Sequence, residues 1–160
     1  MHLSWLELDR FRSYERLRFE PDPGINVLIG RNGAGKTNIL EAVGYLSMQK
    51  SFRRTPDASL IQAGADGAVI RGGFDDRDSS IDIAVEIPTA GRRQVLVNGK
   101  RPGRLSDVAT TAPIVAFLPD DLDLVKRGPA LRREYLDDLG AQLMPTVGAD
   151  QREFEKTLRQ

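Results

Sequence analysis

The chain has 160 residues, of which 40% are hydrophobic and 29% are charged, a composition that indicates one globular domain or a large part of one. Its 23 basic residues balance its 23 acidic residues, so net charge gives no argument for nucleic acid binding, and any such surface must be a local patch. The absence of cysteine excludes disulfides and thiolate metal sites, and the single histidine excludes a histidine-based metal site.

The first part of the chain predicts two strands joined by a turn. Residues 3–9 alternate in polarity and are expected to form a strand, and residues 16–20 alternate too and are expected to form a second, half-exposed strand. Residues 11–14, Phe-Arg-Ser-Tyr, supply the turn between them. A tight Pro-Asp-Pro-Gly turn at 21–24 then leads into residues 25–29, an apolar run that predicts a buried parallel strand.

Residues 30–37 read Gly-Arg-Asn-Gly-Ala-Gly-Lys-Thr, the G-x-x-x-x-G-K-T pattern of a Walker A phosphate-binding loop. A helix is predicted to follow over residues 38–49. The glycines let backbone N–H groups converge on one oxyanion, and the helix adds the positive end of its dipole. Lys36 is expected to reach the β- and γ-phosphates of ATP, and the Thr37 hydroxyl is expected to bind Mg²⁺. The order strand, loop, helix disfavours a chance glycine turn.

A basic loop is predicted after this helix, at residues 50–54, Lys-Ser-Phe-Arg-Arg. Because the loop directly follows the phosphate-loop helix, it is a candidate for contact with phosphate or DNA through Lys50, Arg53 and Arg54. The other basic pairs, at 92–93, 100–101 and 132–133, are read as solvated surface. Thr55 is expected to cap a short helix that begins at Pro56 and ends at Gly64.

The middle of the chain predicts an antiparallel β-layer. Residues 68–74 predict a strand, residues 75–79 a polar loop, and residues 81–87 a half-buried strand with clear alternation. Residues 95–97 are followed by Asn98 and Gly99, the dipeptide of a type I′ hairpin turn.

The last third predicts a short helix at 105–109, a buried strand at 114–117 and a helix that begins at Pro129. The apolar stripe of that helix consists of Leu131, Tyr135, Leu136, Leu139 and Leu143. Pro145 is expected to end the helix, and a second amphipathic helix carrying Phe154 and Leu158 runs to Gln160 without a stop signal, so the chain is expected to be cut there.

Asp120 and Asp121 are the candidates for the second acid that a phosphate-loop ATPase needs. They follow the predicted strand at 114–117, but Pro119 stands between the strand and the acids. Proline removes a backbone donor and redirects the chain, which favours a polar turn over a Walker B acid. The sequence of this chain therefore leaves the catalytic residues unknown.

These residues together resemble the RecF family of bacterial DNA replication and repair proteins, relatives of the SMC-type heads within the ABC ATPases. The motifs that carry the resemblance occur in the family's order along nearly the whole chain: Leu8 with 11–14, 23–27, the Walker A loop extended by Asn-Ile-Leu-Glu-Ala at 38–42, 51–53, 60–64, 97–100, 118–126 and Arg-Arg-Glu-Tyr-Leu-Asp at 132–137. Arg31 departs from the pattern, because the family often has an acidic residue at this permissive loop position.

The resemblance implies an α/β fold: a P-loop NTPase head of the ABC type, with a mixed sheet, an antiparallel β-layer and the start of a helical lobe. It divides the chain into residues 1–125, part of the head, and residues 126–160, the beginning of the lobe. The nucleotide-binding residues that it implies are Gly30, Arg31, Asn32, Gly33, Ala34, Gly35, Lys36, Thr37, Asn38, Arg12 and Ser13. Arg53 would lie near the phosphates or DNA.

The resemblance also implies a function: ATP-dependent DNA binding in recombinational repair, replication restart and the SOS response. The partners would be single-strand/double-strand DNA junctions, other recombination proteins and a second copy of the chain, joined by ATP. The family's signature motif and Walker B acids would lie beyond residue 160, so this chain is expected to bind ATP without efficient hydrolysis. No apolar run approaches the roughly 20 residues that cross a membrane, and no signal peptide opens the chain, which favours the cytoplasm.

Two other functions remain open. A self-contained P-loop NTPase or nucleotide kinase would use Asp120 or Asp121 on Mg²⁺. An ABC transporter ATPase subunit would have a membrane partner, although residues 11–14 and 38–42 do not favour that alternative.

Overall fold

A computed structural model describes residues 1–118, 128–144, 146, 154 and 157 of the chain. Its centre is one antiparallel sheet packed against one helix. The strands and helices are, in chain order, β1 (His2–Phe11), β2 (Tyr14–Phe19), α1 (Lys36–Met48), a 3₁₀ turn (Asp57–Leu60), β3 (Gly67–Asp76), β4 (Ser79–Pro88), β5 (Gln94–Val97), α2 (Ser106–Thr111) and α3 (Pro129–Leu143).

The five strands form one sheet in the order β2-β1-β3-β4-β5, and every neighbouring pair is antiparallel. Side chains alternate between the two faces of a strand, so the register decides which residues share a face. One row across the inner face is apolar throughout: Leu17, Leu8, Ile70, Val85 and Val95. The half-buried strands predicted from alternating polarity are therefore confirmed.

Helix α1 covers the apolar face of the sheet. Its Ala42, Tyr45 and Leu46 are fully buried and belong to the same core cluster as Leu6 and Ile70 of the sheet. The predicted helix after the Walker A loop is thus confirmed, and its N-terminal end carries the loop at the edge of this core.

Both predicted turns between antiparallel strands are confirmed. β1 ends at Phe11 and β2 begins at Tyr14, so the first turn lies within the predicted residues 11–14. In the second turn Asn98 and Gly99 have φ angles of 49° and 72°. A type I′ turn requires positive φ at both central residues, which this dipeptide tolerates.

The predicted buried strands at 25–29 and 114–117 are wrong. Ile25, Val27 and Ile29 are 95%, 74% and 91% exposed, and Val115 and Phe117 are 83% and 81% exposed. Within the described ranges, no strand pairs with either segment. A parallel strand is buried by its neighbours and by layers on both faces, so an apolar run without them stays extended and exposed. The parallel part of the expected mixed sheet is accordingly not formed by the described residues.

Smaller boundaries also differ from the predictions. Pro56 is extended and precedes the 3₁₀ turn, and that turn ends at Leu60, before Gly64. Thr55 does not cap it, because Pro56 occupies the N-cap position and no side chain caps the turn. The Thr55 hydroxyl accepts a hydrogen bond from Arg12 Nη2 at 2.8 Å. The loop predicted at 75–79 is shorter, since β3 and β4 extend into it.

The C-terminal predictions are met only in part. α3 begins at Pro129 as predicted, but Leu136 and Leu143 of its apolar stripe are 62% and 72% exposed. Asp120, Asp121, Pro145 and most of the second amphipathic helix lie outside the described residues. Of the helices that the described residues form, none has the length and hydropathy needed to cross a bilayer.

Candidate nucleotide-binding site

The Walker A loop has the backbone that its glycines permit. Gly33 and Gly35 have φ angles of 83° and 92°, in the left-handed region that favours glycine. Gly35 occupies the N-cap position of α1, and its carbonyl accepts the first helical hydrogen bond from Asn38 N–H at 2.8 Å. The first N–H groups of a helix have no partner within it, so this end of α1 presents donors and a partial positive charge to an anion.

Lys36 and Thr37 stand in the first turn of α1, where the sequence pattern predicts them. Lys36 Nζ donates to the carbonyl oxygens of Gly30 and Arg31 at 2.7 and 2.8 Å, so the ammonium lies over the loop backbone. Thr37 is exposed at the surface of the same turn. Among the described residues, histidine and acidic side chains form no group of three or more that suits a metal ion.

Tyr14 packs directly against the Walker A loop, which sequence reasoning did not predict. A Cβ built on Gly35 would lie 2.5 Å from Tyr14 Oη, and the Tyr14 hydroxyl is 3.5 Å from the Ala34 carbonyl oxygen. The ring thus occupies the space that a side chain at position 35 would need. Glycine is required there by this contact as well as by its positive φ.

Arg12 lies in the turn between β1 and β2 and is fixed by Glu41 of α1. Arg12 Nε and Nη2 donate to the two carboxylate oxygens of Glu41 at 2.9 and 2.7 Å, a bidentate arrangement. Nη1 and Nη2 also donate to the Ser59 carbonyl oxygen and to Thr55 Oγ1, each at 2.8 Å. Arg12 itself has φ 54°, because it occupies the tight turn between β1 and β2. Its donors are therefore committed to the protein.

Ser13, Asn38 and Arg53 are brought together in front of the same helix end. Asn38 Nδ2 donates to Ser13 Oγ at 3.0 Å, and Arg53 Nη1 donates to Asn38 Oδ1 at 3.2 Å. Three predicted site residues from separate parts of the chain therefore meet one residue beyond the Walker A loop.

The structure separates Arg53 from the other two basic candidates. Lys50 and Arg54 line a cavity of about 560 Å³ whose lining also includes Leu131 and Tyr135 of α3. Arg53 is not part of that lining and contacts Asn38 and Glu41 instead. Arg53 therefore contacts a residue of the predicted nucleotide site, whereas Lys50 and Arg54 line the cavity.

A second polar cluster lies farther along α1. Tyr45 is fully buried, and its hydroxyl donates to Asp57 Oδ1 at 2.8 Å and accepts from Arg93 Nη1 at 2.9 Å. Arg93 Nη1 also donates to the carbonyl oxygen of Gln49 at 2.5 Å. Burial, and then the hydrogen bond to Asp57, raise the pKa of Tyr45 above its usual range, while the positive charge of Arg93 opposes that rise.

The chain is similar in sequence to known proteins. The chain matches the model of the RecF/RecN/SMC N-terminal domain over residues 2–122. The DNA replication and repair protein RecF of Acidothermus cellulolyticus is 46% identical over 160 residues, which cover 100% of this chain and 43% of that protein. The chain thus spans less than half the length of this curated relative.

Solved structures of RecF and SMC proteins are also similar to the chain. One is described as the structure of the recombination mediator protein RecF-ATPrS in the RecFOR pathway; it has a TM-score of 0.94 at 29% identity and covers 99% of this chain and 43% of its own. A second comes from work on ATP-driven dimerization and DNA-stimulated activation of SMC ATPases. Its TM-score is 0.68 at 25% identity, over 87% of this chain and 99% of its own.

The neighbours confirm the predicted fold, the ABC-type head of the P-loop ATPases, although all strand pairs of the sheet that the described residues form are antiparallel. The chain belongs to the RecF/RecN/SMC N-terminal domain family, as a RecF-type member.

Proposed function

We propose that this chain binds ATP at the Walker A loop as part of a RecF-type protein of DNA repair and replication. The observation that carries the proposal is the convergence at the N-terminal end of α1. There the glycine loop, Lys36 and the polar group Ser13, Asn38 and Arg53 surround one helix end that favours an anion.

Each residue has a role that its position supports. The backbone of residues 30–35 would hold the phosphates, and Lys36 would exchange its two carbonyl partners for phosphate oxygens. Thr37, exposed beside Lys36, would hold Mg²⁺, which neutralises phosphate charge when bound. Asn38, Ser13 and Arg12 would flank the nucleotide. The donor set fits Mg²⁺·ATP, since Mg²⁺ in such sites takes few protein ligands and several phosphate oxygens.

The wider function is proposed from the relatives. One RecF structure is described with ATPrS and as part of the RecFOR pathway, and the SMC neighbour is described with ATP-driven dimerization and DNA-stimulated activation. We propose for this chain a cytoplasmic role in which ATP joins two copies that engage single-strand/double-strand DNA junctions with other recombination proteins. Residues 1–125 would belong to the head, and residues 126–160 would begin the helical lobe.

The test is a calorimetric titration of the purified chain with ATP in the presence of Mg²⁺, in which wild type is compared with Lys36→Ala. Lys36 makes charge-assisted bonds, each worth about 1.5–3 kcal/mol, so its loss is expected to weaken ATP binding about 10- to 100-fold. The matched control is Lys100→Ala, an exposed lysine in the 98–99 hairpin, which should leave the affinity unchanged.

Equal ATP affinity in wild type and Lys36→Ala would overturn the proposal. Sustained ATP turnover that disappears when Asp120 and Asp121 are both changed to asparagine would favour the self-contained P-loop NTPase instead. Light scattering with and without ATP, and titration with a junction DNA, test the dimer and the DNA partner separately.

A further inference from the structure

Glu41 is a charged residue at which the core meets the predicted nucleotide site. It lies on α1, four residues after Thr37, and its side chain is 0% exposed. A carboxylate is almost never fully buried unless it is paired, because removal from water strongly disfavours its charged form. The charge of Glu41 must therefore be compensated by its hydrogen-bond partners.

Those partners come from two separate segments of the chain. Arg12, in the turn between β1 and β2, donates two hydrogen bonds to the carboxylate at 2.7 and 2.9 Å. Ser51, in the basic loop, donates Oγ–H to Glu41 Oε1 at 2.5 Å, and Arg53 Nη1 donates to Oε2 at 3.4 Å. One carboxylate thus ties the turn that carries Arg12 and Ser13 to the loop that carries Arg53.

The two arginines are held with different strength. The Arg12 side chain is 17% exposed and makes short bidentate bonds, whereas the Arg53 side chain is 36% exposed. Arg53 divides Nη1 between Asn38 at 3.2 Å and Glu41 at 3.4 Å, both longer than the roughly 2.7–2.9 Å of a strong charge-assisted bond. A phosphate group in the Walker A loop would offer Arg53 a stronger acceptor than either of these two.

We infer that Glu41 is a positioning residue for polyphosphate binding. Its carboxylate fixes Arg12 in the turn between β1 and β2, and it holds Arg53 loosely beside Asn38. From there the Arg53 guanidinium transfers to the phosphates. Glu41 does not touch the nucleotide and acts on it through Arg53. The inference rests on the proposed binding of ATP, and it adds a function for a buried residue of the helix interior.

The experiment is a double-mutant cycle on ATP affinity with Glu41→Gln, Arg53→Ala and the double variant. Glutamine keeps the shape of the side chain but removes its charge, so it loosens the hold on Arg53. Each single variant is expected to weaken ATP binding about tenfold. Because Glu41 acts through Arg53, the double variant should be weaker than Arg53→Ala by no more than about threefold.

A purely structural role for Glu41 predicts a different pattern. Glu41→Gln lowers the midpoint of urea unfolding under either role, because it breaks the buried pair with Arg12. Under a purely structural role, its effect on ATP affinity would multiply with that of Arg53→Ala to about 100-fold. That outcome, or ATP affinity unchanged in Arg53→Ala, overturns the inference. The control is Glu7→Gln, a glutamate that pairs with Arg18 on the outer face of the sheet and should leave ATP affinity unchanged.

A milder variant keeps the inference testable if Glu41→Gln does not fold. Ser51→Ala removes one hydrogen-bond donor to Glu41 and the acceptor of the Arg53 backbone N–H, while the Glu41 carboxylate remains. It should weaken ATP binding a few-fold in the wild-type background and have no effect in the Arg53→Ala background; equal effects in both overturn the inference. ATP binding that survives Lys36→Ala overturns the proposed function together with the inference, whereas binding lost in Lys36→Ala with a multiplicative cycle overturns the inference alone.

Discussion

Two polar clusters lie on the same face of α1, four residues apart, and they differ in charge. The Glu41 cluster consists of Glu41, Arg12, Ser51 and Arg53, and the Tyr45 cluster consists of Tyr45, Gln49, Asp57 and Arg93. Glu41 and Tyr45 are both fully buried, and each contacts an arginine from a segment that connects two strands. Residues four apart share a helix face, which is why each cluster lies between α1 and the rest of the core.

The difference lies in what is buried. Glu41 places a negative charge at 0% exposure, which a bidentate arginine, a hydroxyl and the longer contact from Arg53 compensate. Tyr45 places a neutral hydroxyl between Arg93 and Asp57, and Asp57 is 41% exposed and keeps access to water. The first cluster therefore depends on complete pairing and touches the predicted nucleotide site through Arg53, whereas the second is expected to contribute to stability alone.

The largest effect is expected from Arg12→Met, which removes the bidentate partner of Glu41. Breaking a buried ion pair from one side leaves an uncompensated charge and costs about 3–5 kcal/mol of the free energy of unfolding. Urea denaturation monitored by the fluorescence of Trp5 measures the loss. The control Arg10→Met changes a nearby arginine of β1 whose side chain is 54% exposed and whose φ is also positive, and it should cost less than about 0.5 kcal/mol. A loss for Arg12→Met similar to that of the control would contradict the central role of the charge.

Arg93→Met tests the other side of the comparison and should cost less. Tyr45, Asp57 and the Gln49 carbonyl each lose a donor, but Asp57 can be solvated, so a loss of about 1–2 kcal/mol is expected from the hydrogen bonds. The affinity for ATP should stay the same within about twofold, because the Tyr45 cluster does not touch the predicted site. Arg92→Met, at an exposed neighbouring position, is the control. A tenfold loss of ATP affinity in Arg93→Met would show that the two clusters do not differ in function.

The antiparallel sheet and α1 could be predicted from the sequence because their signals are local. Alternating polarity identified β4, and Asn98 with Gly99 identified the hairpin through their tolerance of positive φ. The segments at 25–29 and 114–117 could not be predicted in the same way. An apolar run reports that burial is favourable, but burial of a parallel strand depends on neighbouring strands that the run itself does not specify.

The residues of the candidate site differ in how they could be found from the sequence. The pattern of the Walker A loop identified Lys36 and Thr37, while Arg12 and Ser13 came only from the family resemblance. Glu41 was missed because glutamate in a helix is ordinarily read as exposed. The available signal was its spacing: Asn38, Glu41 and Tyr45 are three and four residues apart and so share one face of α1 with the buried apolar residues.

The smallest effect at neutral pH is expected from Tyr45→Phe, and its pH dependence separates the clusters most sharply. The variant loses the hydroxyl between Asp57 and Arg93, at a cost of about 1 kcal/mol near pH 8. Burial and the hydrogen bond to Asp57 raise the pKa of Tyr45 in the folded state. The folded protein therefore keeps a proton that the unfolded chain loses above pH of about 10, so the wild type loses stability as the pH rises through that range.

Phenylalanine does not titrate, so the variant lacks this contribution while all other groups are shared. The free energy of unfolding, measured by urea denaturation from pH 8 to 11, should fall more steeply for the wild type than for Tyr45→Phe. One pH unit above the ordinary tyrosine pKa the extra loss is about 1.4 kcal/mol, which is enough to cancel the advantage of the wild type near pH 11. Parallel profiles would mean that Tyr45 ionises equally well in both states, and the buried hydroxyl would then not be what distinguishes this cluster from the one around Glu41.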